Sequence, residues 1–365
     1  MQWVKLGDFI EQCTETNDNL FYDEDVAVGV NIDKELRKTK ANTESSALKM
    51  FLLLNPGCFA YNPRGSRKLG LGFNDTQQTL ITTYNFFVFK IKDECLNKLL
   101  PEYLFMYLCR KEWDRHAEYL SWGSSTEYFK FETLLEVKLP LPSIDEQKQV
   151  VAAWRGLKNL GEQNEHMAGP LMDLCQSYLQ DLKHKYPLVE IGPYIHKGNK
   201  NTDNTIDNVL GVGQSGFIKP QKKPNESLKN YKIITYNDIC YAPPLYNILS
   251  DALHLYKCKN PAVCSPIYEV FAVQEDIILP EYLLLWLKRS EFKRYAEFYS
   301  MGVRNTFDYS LMEQVKIPLP PIEIQRAIVE IYNCAKTSKY ISETAKKLNS
   351  DICPALMRQI IGDNQ

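Results

Sequence analysis

A segment that occurs twice constrains this chain more than any other feature, because a duplicated unit has to fold as two copies of one architecture. Residues 101–120, PEYLFMYLCRKEWDRHAEYL, align with 280–299, PEYLLLWLKRSEFKRYAEFY, at an offset of 179, and ten of the twenty positions are identical. Average residue usage gives about one chance match over that length. After a one-residue adjustment Leu139-Pro140-Leu141-Pro142-Ser143-Ile144 faces Ile317-Pro318-Leu319-Pro320-Pro321-Ile322, and Gln147 faces Gln325. Upstream, Val4, Leu6, Gly7 and Ile10 face Val189, Ile191, Gly192 and Ile195. Phe59-Ala60-Tyr61 faces Ile239-Cys240-Tyr241, and Val88-Phe89 faces Val270-Phe271. One unit of about 180 residues is used twice.

Each copy has the same internal order. A segment rich in β-branched and aromatic residues, for example 79–90, TLITTYNFFVFK, reads as strand. A helix follows from Pro101 or Pro280, since proline suits the first helical position. Then come the loops Gly123-Ser124-Ser125 and Gly302-Val303-Arg304-Asn305, and a proline strip that forces an extended connection. A long helix closes each copy. Spacings of four and three from Val150 give Trp154, Leu157, Gly161, Asn164, Ala168, Leu171, Cys175, Tyr178 and Leu182, a mostly apolar seam. The second seam, from Ile328 through Tyr332, Ala335, Lys339, Ser342, Lys346, Asn349, Cys353 and Leu356 to Ile360, is polar in the middle. Helices of roughly 40 residues extend ~60 Å, more than a small domain covers, so the two are expected to pair with each other. Gly169-Pro170 predicts a kink or short break near Ala168.

A length of 365 residues fits two to three domains, and 44% hydrophobic with 24% charged residues is the composition of a folded protein. Lys plus Arg number 43 against 45 Asp plus Glu, which excludes a uniformly basic nucleic-acid wrapper but not local basic patches. Ten cysteines without a C-x-x-C pair fit free thiols in a reducing cytoplasm. No basic stretch precedes an apolar core at the N-terminus, and no apolar run approaches the ~18 residues of a membrane span, so a cytoplasmic location is expected.

Several motifs have a structural reading. Gly211-Val212-Gly213-Gln214-Ser215-Gly216 matches G-x-G-x-x-G, yet the proline- and lysine-rich 217–224 cannot start a helix, so a glycine-rich loop between strands is expected. Asn55-Pro56-Gly57-Cys58 lacks the second proline and the base-stacking aromatic of an amino-methyltransferase motif and reads as a turn after the strand 51–54. The five histidines are scattered, no catalytic constellation is found, and Cys258 with Cys264 lacks the second pair a zinc site needs. Asp145-Glu146 reads as helix-start chemistry.

Basic residues cluster at Asn62-Pro63-Arg64-Gly65-Ser66-Arg67-Lys68 and at Lys34, Arg37, Lys38 and Lys40, the latter with only Glu35 to oppose them. In the second copy Lys197, Lys200, Lys219, Lys222 and Lys223 fall in the first forty residues. Basic residues near loops carrying Asn, Ser and Tyr are what phosphate positioning plus base-edge reading require. An overall acidic balance is compatible with this if another subunit supplies phosphate contacts.

The duplicated Pro-Glu-Tyr-Leu helix, the Gly123 and Gly302 loops, the LPLPSIDEQ and IPLPPIEIQ strips and the run Phe59-Ala60-Tyr61-Asn62-Pro63 resemble the specificity subunit of type I restriction-modification systems over nearly the whole chain. The resemblance implies an α/β (α+β) fold with two homologous target recognition domains, at 1–145 and 186–322. Long helices at 146–185 and 323–363 form an antiparallel coiled coil that spaces two half-sites. It implies a noncatalytic chain that binds double-stranded DNA with two methyltransferase (modification) subunits and two ATP-dependent restriction subunits. S-adenosylmethionine, ATP and Mg would then sit on those partners, and no metal or cofactor on this chain. The implied DNA-binding residues are Asn62, Arg64, Ser66, Arg67, Lys68, Ser124 and Ser125 in the first copy. In the second they are Lys197, Lys200, Lys219, Lys222, Lys223, Tyr246, Asn247, Arg304 and Asn305. Ile324 stands where the resemblance expects a glutamate opposite Glu146. A protein-protein scaffold, or a restriction or methylation enzyme acting alone, are the alternatives.

Overall fold

The structure, a computed structural model, describes residues 2–64, 68–121, 128–220, 227–300 and 305–361, with backbone alone at 2, 350–354 and 356–361. It divides into two units, residues 1–163 with 341–365, and residues 164–340.

In the first unit strand Gln2–Lys5 pairs antiparallel with Lys138–Leu141, so Val4 lies opposite Leu139. A four-stranded antiparallel sheet follows in the order Ile10–Cys13, Phe87–Ile91, Phe59–Tyr61, Leu71–Phe73. Its register is set by aromatic side chains: Phe59 stands opposite both Phe73 and Phe89, with ring centroids 4.8 Å away in each case. Such cross-strand pairs stabilise one pairing over its neighbours. Helices Pro101–Leu108 and Lys111–Ser121 supply buried Tyr103, Leu104, Trp113 and Ala117 to the same core, which Phe105 and Trp154 extend onto the long helix.

The second unit repeats the plan. Strand Leu188–Glu190 pairs with Lys316–Pro318, and the sheet runs Ile195–Lys197, Glu269–Val273, Ile239–Tyr241, Leu253–Leu255. Helices Pro280–Leu287 and Ser290–Tyr299 cover it. The repeated block therefore forms two short helices in each copy and not one.

Identical hydrogen bonds hold both frames. Gln147, fully buried, accepts from Leu100 N (2.9 Å) and donates to Lys98 O (2.8 Å) and Pro142 O (3.0 Å). Gln325 accepts from Leu279 N (2.9 Å) and donates to Ile277 O (2.8 Å) and Pro320 O (2.9 Å). Each amide thus satisfies backbone groups that the proline strip and the helix start leave open. Tyr103 and Tyr282 donate to the strip carbonyls of Pro140 and Pro318.

The segments after the second and after the fourth common strands differ. The first unit builds a further sheet in the order Leu36–Lys38, Ala27–Val30, Leu80–Thr82, Leu52–Leu54, with one parallel pair and a small core of Ala27, Leu48, Phe51 and Ile81. The second builds a hairpin, Gly211–Gly213 with Gly216–Ile218, and a separate antiparallel pair, Lys232–Ile234 with Ala262–Cys264. The stretch 79–90 is accordingly two strands in two sheets, because the turn closed by Phe86 N on Thr83 O separates Leu80–Thr82 from Phe87–Ile91.

The long helices are Ile144–Lys185 and Ile322–Ile361. Ser143 and Glu146 cap the first reciprocally: Ser143 N and Oγ donate to the Glu146 carboxylate at 2.8 and 2.7 Å, and those bonds hold the carboxyl below its usual range. Ile324, at the counterpart position, packs instead against the core of the second unit. The expected seam is turned inward from Val150 to Cys175 and at Leu182, whereas Leu179 replaces the exposed Tyr178. On the second helix Ser338 and Ser342 are buried and Lys339 and Lys346 are exposed, so small hydroxyls carry the seam past its polar middle. In the first unit a Cβ at Gly161 would lie 3.6 Å from Ala345 Cβ, and in the second Cys175 Sγ lies 3.9 Å from Ile328 O. Within each unit the two helices therefore touch. Of the kink or short break expected near Ala168, the break is not present: helix Ile144–Lys185 continues through Pro170. Among the described residues no helix is long and apolar enough to cross a membrane.

Candidate nucleic-acid interface

The central strand Phe59–Tyr61 of the first unit ends in a tight turn. Asn62 N donates to Gly70 O (2.9 Å), and Asn62 Oδ1 accepts Arg64 N (3.0 Å), an Asx turn that leaves Arg64 exposed. Pro63 O accepts Phe129 N at 2.9 Å, and Tyr61 Oη donates to Phe129 O at 3.3 Å. Residues 62–64 are thereby joined to the chain directly after 122–127. Lys68 is exposed at the far side of the same turn.

The matching strand of the second unit, Ile239–Tyr241, ends in the same way. Phe307 N donates to Pro243 O at 2.8 Å, Leu245 N donates to Asn305 O at 2.9 Å, and Pro244 bridges Thr306. A short helix, Leu245–Leu249, follows and presents Tyr246, 72% exposed, beside half-buried Asn247. Asn305 adopts a left-handed backbone (φ 42°), which asparagine tolerates better than most residues. The structure therefore brings Tyr246, Asn247 and Asn305 to one corner, and Asn62, Arg64 and Lys68 to the equivalent corner of the first unit.

Lys197, Lys200 and Lys219 make no described contact with that corner. Lys197 lies 3.9 Å from Glu269 and 5.1 Å from the Tyr309 ring, Lys200 bridges Lys232 through its backbone, and Lys219 is exposed after its hairpin. Ser66, Arg67, Ser124, Ser125, Lys222, Lys223 and Arg304 lie outside the described residues.

Lys34 is not a free surface cation. Its Nζ is 2.5 Å from both Asp114 Oδ1 and Leu69 O, with only 7% of the side chain exposed. Arg37 is held by Glu35 and Asp33. Local sequence offers Asp33 and Glu35 to these cations, yet the acid that matters for Lys34 is eighty residues away.

The other motifs resolve as structure. Gly211–Gly213 and Gly216–Ile218 form a hairpin with Gly216 at φ +130°, and the described residues directly after it, 219–220, start no helix that would present N–H groups to a phosphate. Gly57 at φ +81° and the Cys58 N to Asn55 O bond (3.0 Å) make Asn55-Pro56-Gly57-Cys58 a type II turn. Among the described residues no group of three or more His, Cys, Asp or Glu could hold a metal ion, and the described cysteines are free thiols.

Comparison with known proteins adds three findings. The family described as type I restriction modification DNA specificity domain matches residues 69–169 and 181–347, well over half of the chain. The fold is similar to the crystal structure of a type I restriction-modification system S subunit from M. genitalium, at TM-score 0.62 and 12% identity, covering 100% of this chain and 97% of that one. An HsdS subunit from Thermoanaerobacter tengcongensis aligns at TM-score 0.41 and 14% identity, again over 100% and 97% of the two chains. Among curated proteins none matches.

Proposed function

We propose, from the premise that this chain belongs to the type I restriction modification DNA specificity domain family, that it is the subunit that reads DNA for such a system, each unit reading one half of a split double-stranded target. One observation carries this reading: the same frame, used twice, holds two loops together at the end of the same central strand through the paired bonds Phe129 N to Pro63 O and Phe307 N to Pro243 O. Loops placed by rigid strands and helices are where recognition residues gain precision. Two readers with different inserts give an asymmetric target.

In this reading Arg64, Arg67 and Arg304 address guanine edges, for which the guanidinium fork is suited. Asn62, Ser66, Ser124, Ser125, Tyr246, Asn247 and Asn305 supply further polar contacts. Lys68, Lys197, Lys200, Lys219, Lys222 and Lys223 hold phosphates. The two long helices run antiparallel as the spacer, a sense supported by Gly161 meeting Ala345 and Cys175 meeting Ile328. The chain itself is noncatalytic. It works in the cytoplasm with two modification subunits that bring S-adenosylmethionine and two restriction subunits that bring ATP and Mg, and the partners supply much of the phosphate contact that a net charge of −2 leaves undersupplied.

Sequencing of methylated sites in cells with and without the gene tests the reading. A split motif that disappears with the gene supports it. Methyl transfer by the purified chain alone, or DNA affinity of the partner subunits that is the same without this chain, overturns it. Lys68→Ala is expected to weaken all sequences alike and lower the salt slope of binding by about one.

A further inference from the structure

The alignment of the two copies places Asp114 and Lys293 at the same position, the fourth residue of the second short helix, with opposite charge. Both are paired, Asp114 with a residue from the segment after the second common strand and Lys293 with one from the turn between the third and fourth common strands. Asp114 takes Lys34 at 2.5 Å, and Lys293 takes Asp251 at 2.9 Å. Both partners occupy a backbone conformation that side-chain-bearing residues rarely adopt, Lys34 at φ 64° and Asp251 at φ 65°. Each also touches the recognition corner of its own unit. Lys34 Nζ holds the carbonyl of Leu69, next to Lys68 (2.5 Å), while Asp251 follows the helix Leu245–Leu249 that carries Tyr246 and Asn247, its N–H bonded to Ile248 O (3.1 Å). On the other side of each pair, the helices Lys111–Ser121 and Ser290–Tyr299 lead into residues 122–127 and 301–304.

We propose that Lys34–Asp114 and Asp251–Lys293 are charge clasps of opposite polarity that position the recognition loops, and that each sets the selectivity of one half of the target. This rests on the functional reading above. An ion pair between a left-handed turn and a helix fixes both ends, because removing one partner frees the turn and leaves the other charge unpaired. None of the four residues is proposed to touch a base; they act through the loops they hold. The opposite polarity also tells the two turns apart, since a turn carrying lysine meets a carboxylate only in the first unit and a turn carrying aspartate meets an ammonium only in the second.

Selection from a pool of randomised duplexes, by the full chain purified with its modification subunits, tests this directly. Lys34→Met is expected to lower base preference in one half of the selected motif by about tenfold, the scale of one good base contact, and to leave the other half as in the unaltered protein. Lys293→Met is expected to do the reverse. The double variant Lys34→Met/Asp114→Leu leaves no unpaired charge and keeps the fold testable if the single variant melts. The exchange Lys34→Asp/Asp114→Lys copies the polarity of the second unit and is expected to restore most of the lost preference. Unchanged preference in both halves, equal loss in both halves, or an exchanged pair no better than the single variant overturns the clasp while the functional reading stands. An unaltered chain that selects no motif overturns that reading, and the clasp with it.

Discussion

Gln147 and Gln325 make the same three hydrogen bonds in the two units, whereas Lys34 and Asp251 reach the matching helix position with opposite charge. The first pair belongs to the frame; Lys34 belongs to the insert of the first unit, and Asp251 to the turn between the third and fourth common strands of the second. The frame is repeated down to individual backbone bonds because its side chains are buried against one another, and a change in one has to be met by its neighbours. The inserts pack on their frames through small cores, Leu54 with Ala60 and Val88 in the first unit and Ile234 with Cys240 and Val270 in the second, yet differ in topology, a four-stranded sheet on one side and two separate antiparallel pairs on the other.

Substitution of matched positions can break this comparison. Gln147→Leu and Gln325→Leu should have the largest effect, about 3 kcal/mol each, because two carbonyls and one N–H lose their buried partners. Denaturant unfolding of the full chain should show similar losses, and a severalfold difference would mean the frames are not equivalent. Gly7→Ala and Gly192→Ala should follow at about 1–3 kcal/mol, since the added Cβ would sit 2.9 Å from Leu135 O and 3.0 Å from Glu313 O. Gly161→Ala, whose Cβ finds only ordinary contacts at 3.6–3.7 Å, should be neutral or slightly stabilising in the same measurement.

Two smaller effects should separate the units. Tyr61 Oη donates to Phe129 O, but Tyr241 Oη has no partner among the described residues, and burial raises its pKa well above the usual tyrosine value. Tyr61→Phe is therefore expected to cost about 1 kcal/mol and Tyr241→Phe nothing, by comparison of melting curves. Glu291 is held far below the usual carboxylate range, first by hydrogen bonding to Arg289 and also by Lys183, against the opposing effect of partial burial. A lowered folded-state value stabilises fully above the ordinary pKa of 4.5 and is lost as acidification protonates the carboxylate. Glu291 is 35% exposed at its side chain, so the contribution should be under about 1 kcal/mol. The stability difference between Glu291→Gln and the unaltered protein should shrink as pH falls from 7 into the acid range, and Glu112→Gln in the first unit should cost less.

Much of this frame is visible in the sequence, because both copies spend the same residues on the same burial: the helix starts at Pro101 and Pro280, the proline strips and the paired long helices all follow from that. The stripe on the second long helix was harder to phase. Lysines at 339 and 346 fall on the heptad count, but Ser338 and Ala345, one position earlier, bury at lower cost, and burial cost outranks spacing. Composition alone joins 79–90 into one strand, since Tyr84 and Phe86 suit a turn's flanks as well as a strand. Among the candidate contact residues, the sequence carries the corners at Asn62–Arg64 and Tyr246–Asn247 through their place after the common strand. It does not carry the clasps, because an ion pair across eighty residues of chain leaves no local pattern; only the opposite charges at Asp114 and Lys293 in the aligned copies mark one.

The buried amides at Gln147 and Gln325 have a mechanical consequence. Each ties the first turns of a long helix to the strip before it and to the turn ahead of the short helices, which makes the corner a stiff joint and not a hinge. The start of each long helix is thus locked to its own unit by a single buried side chain.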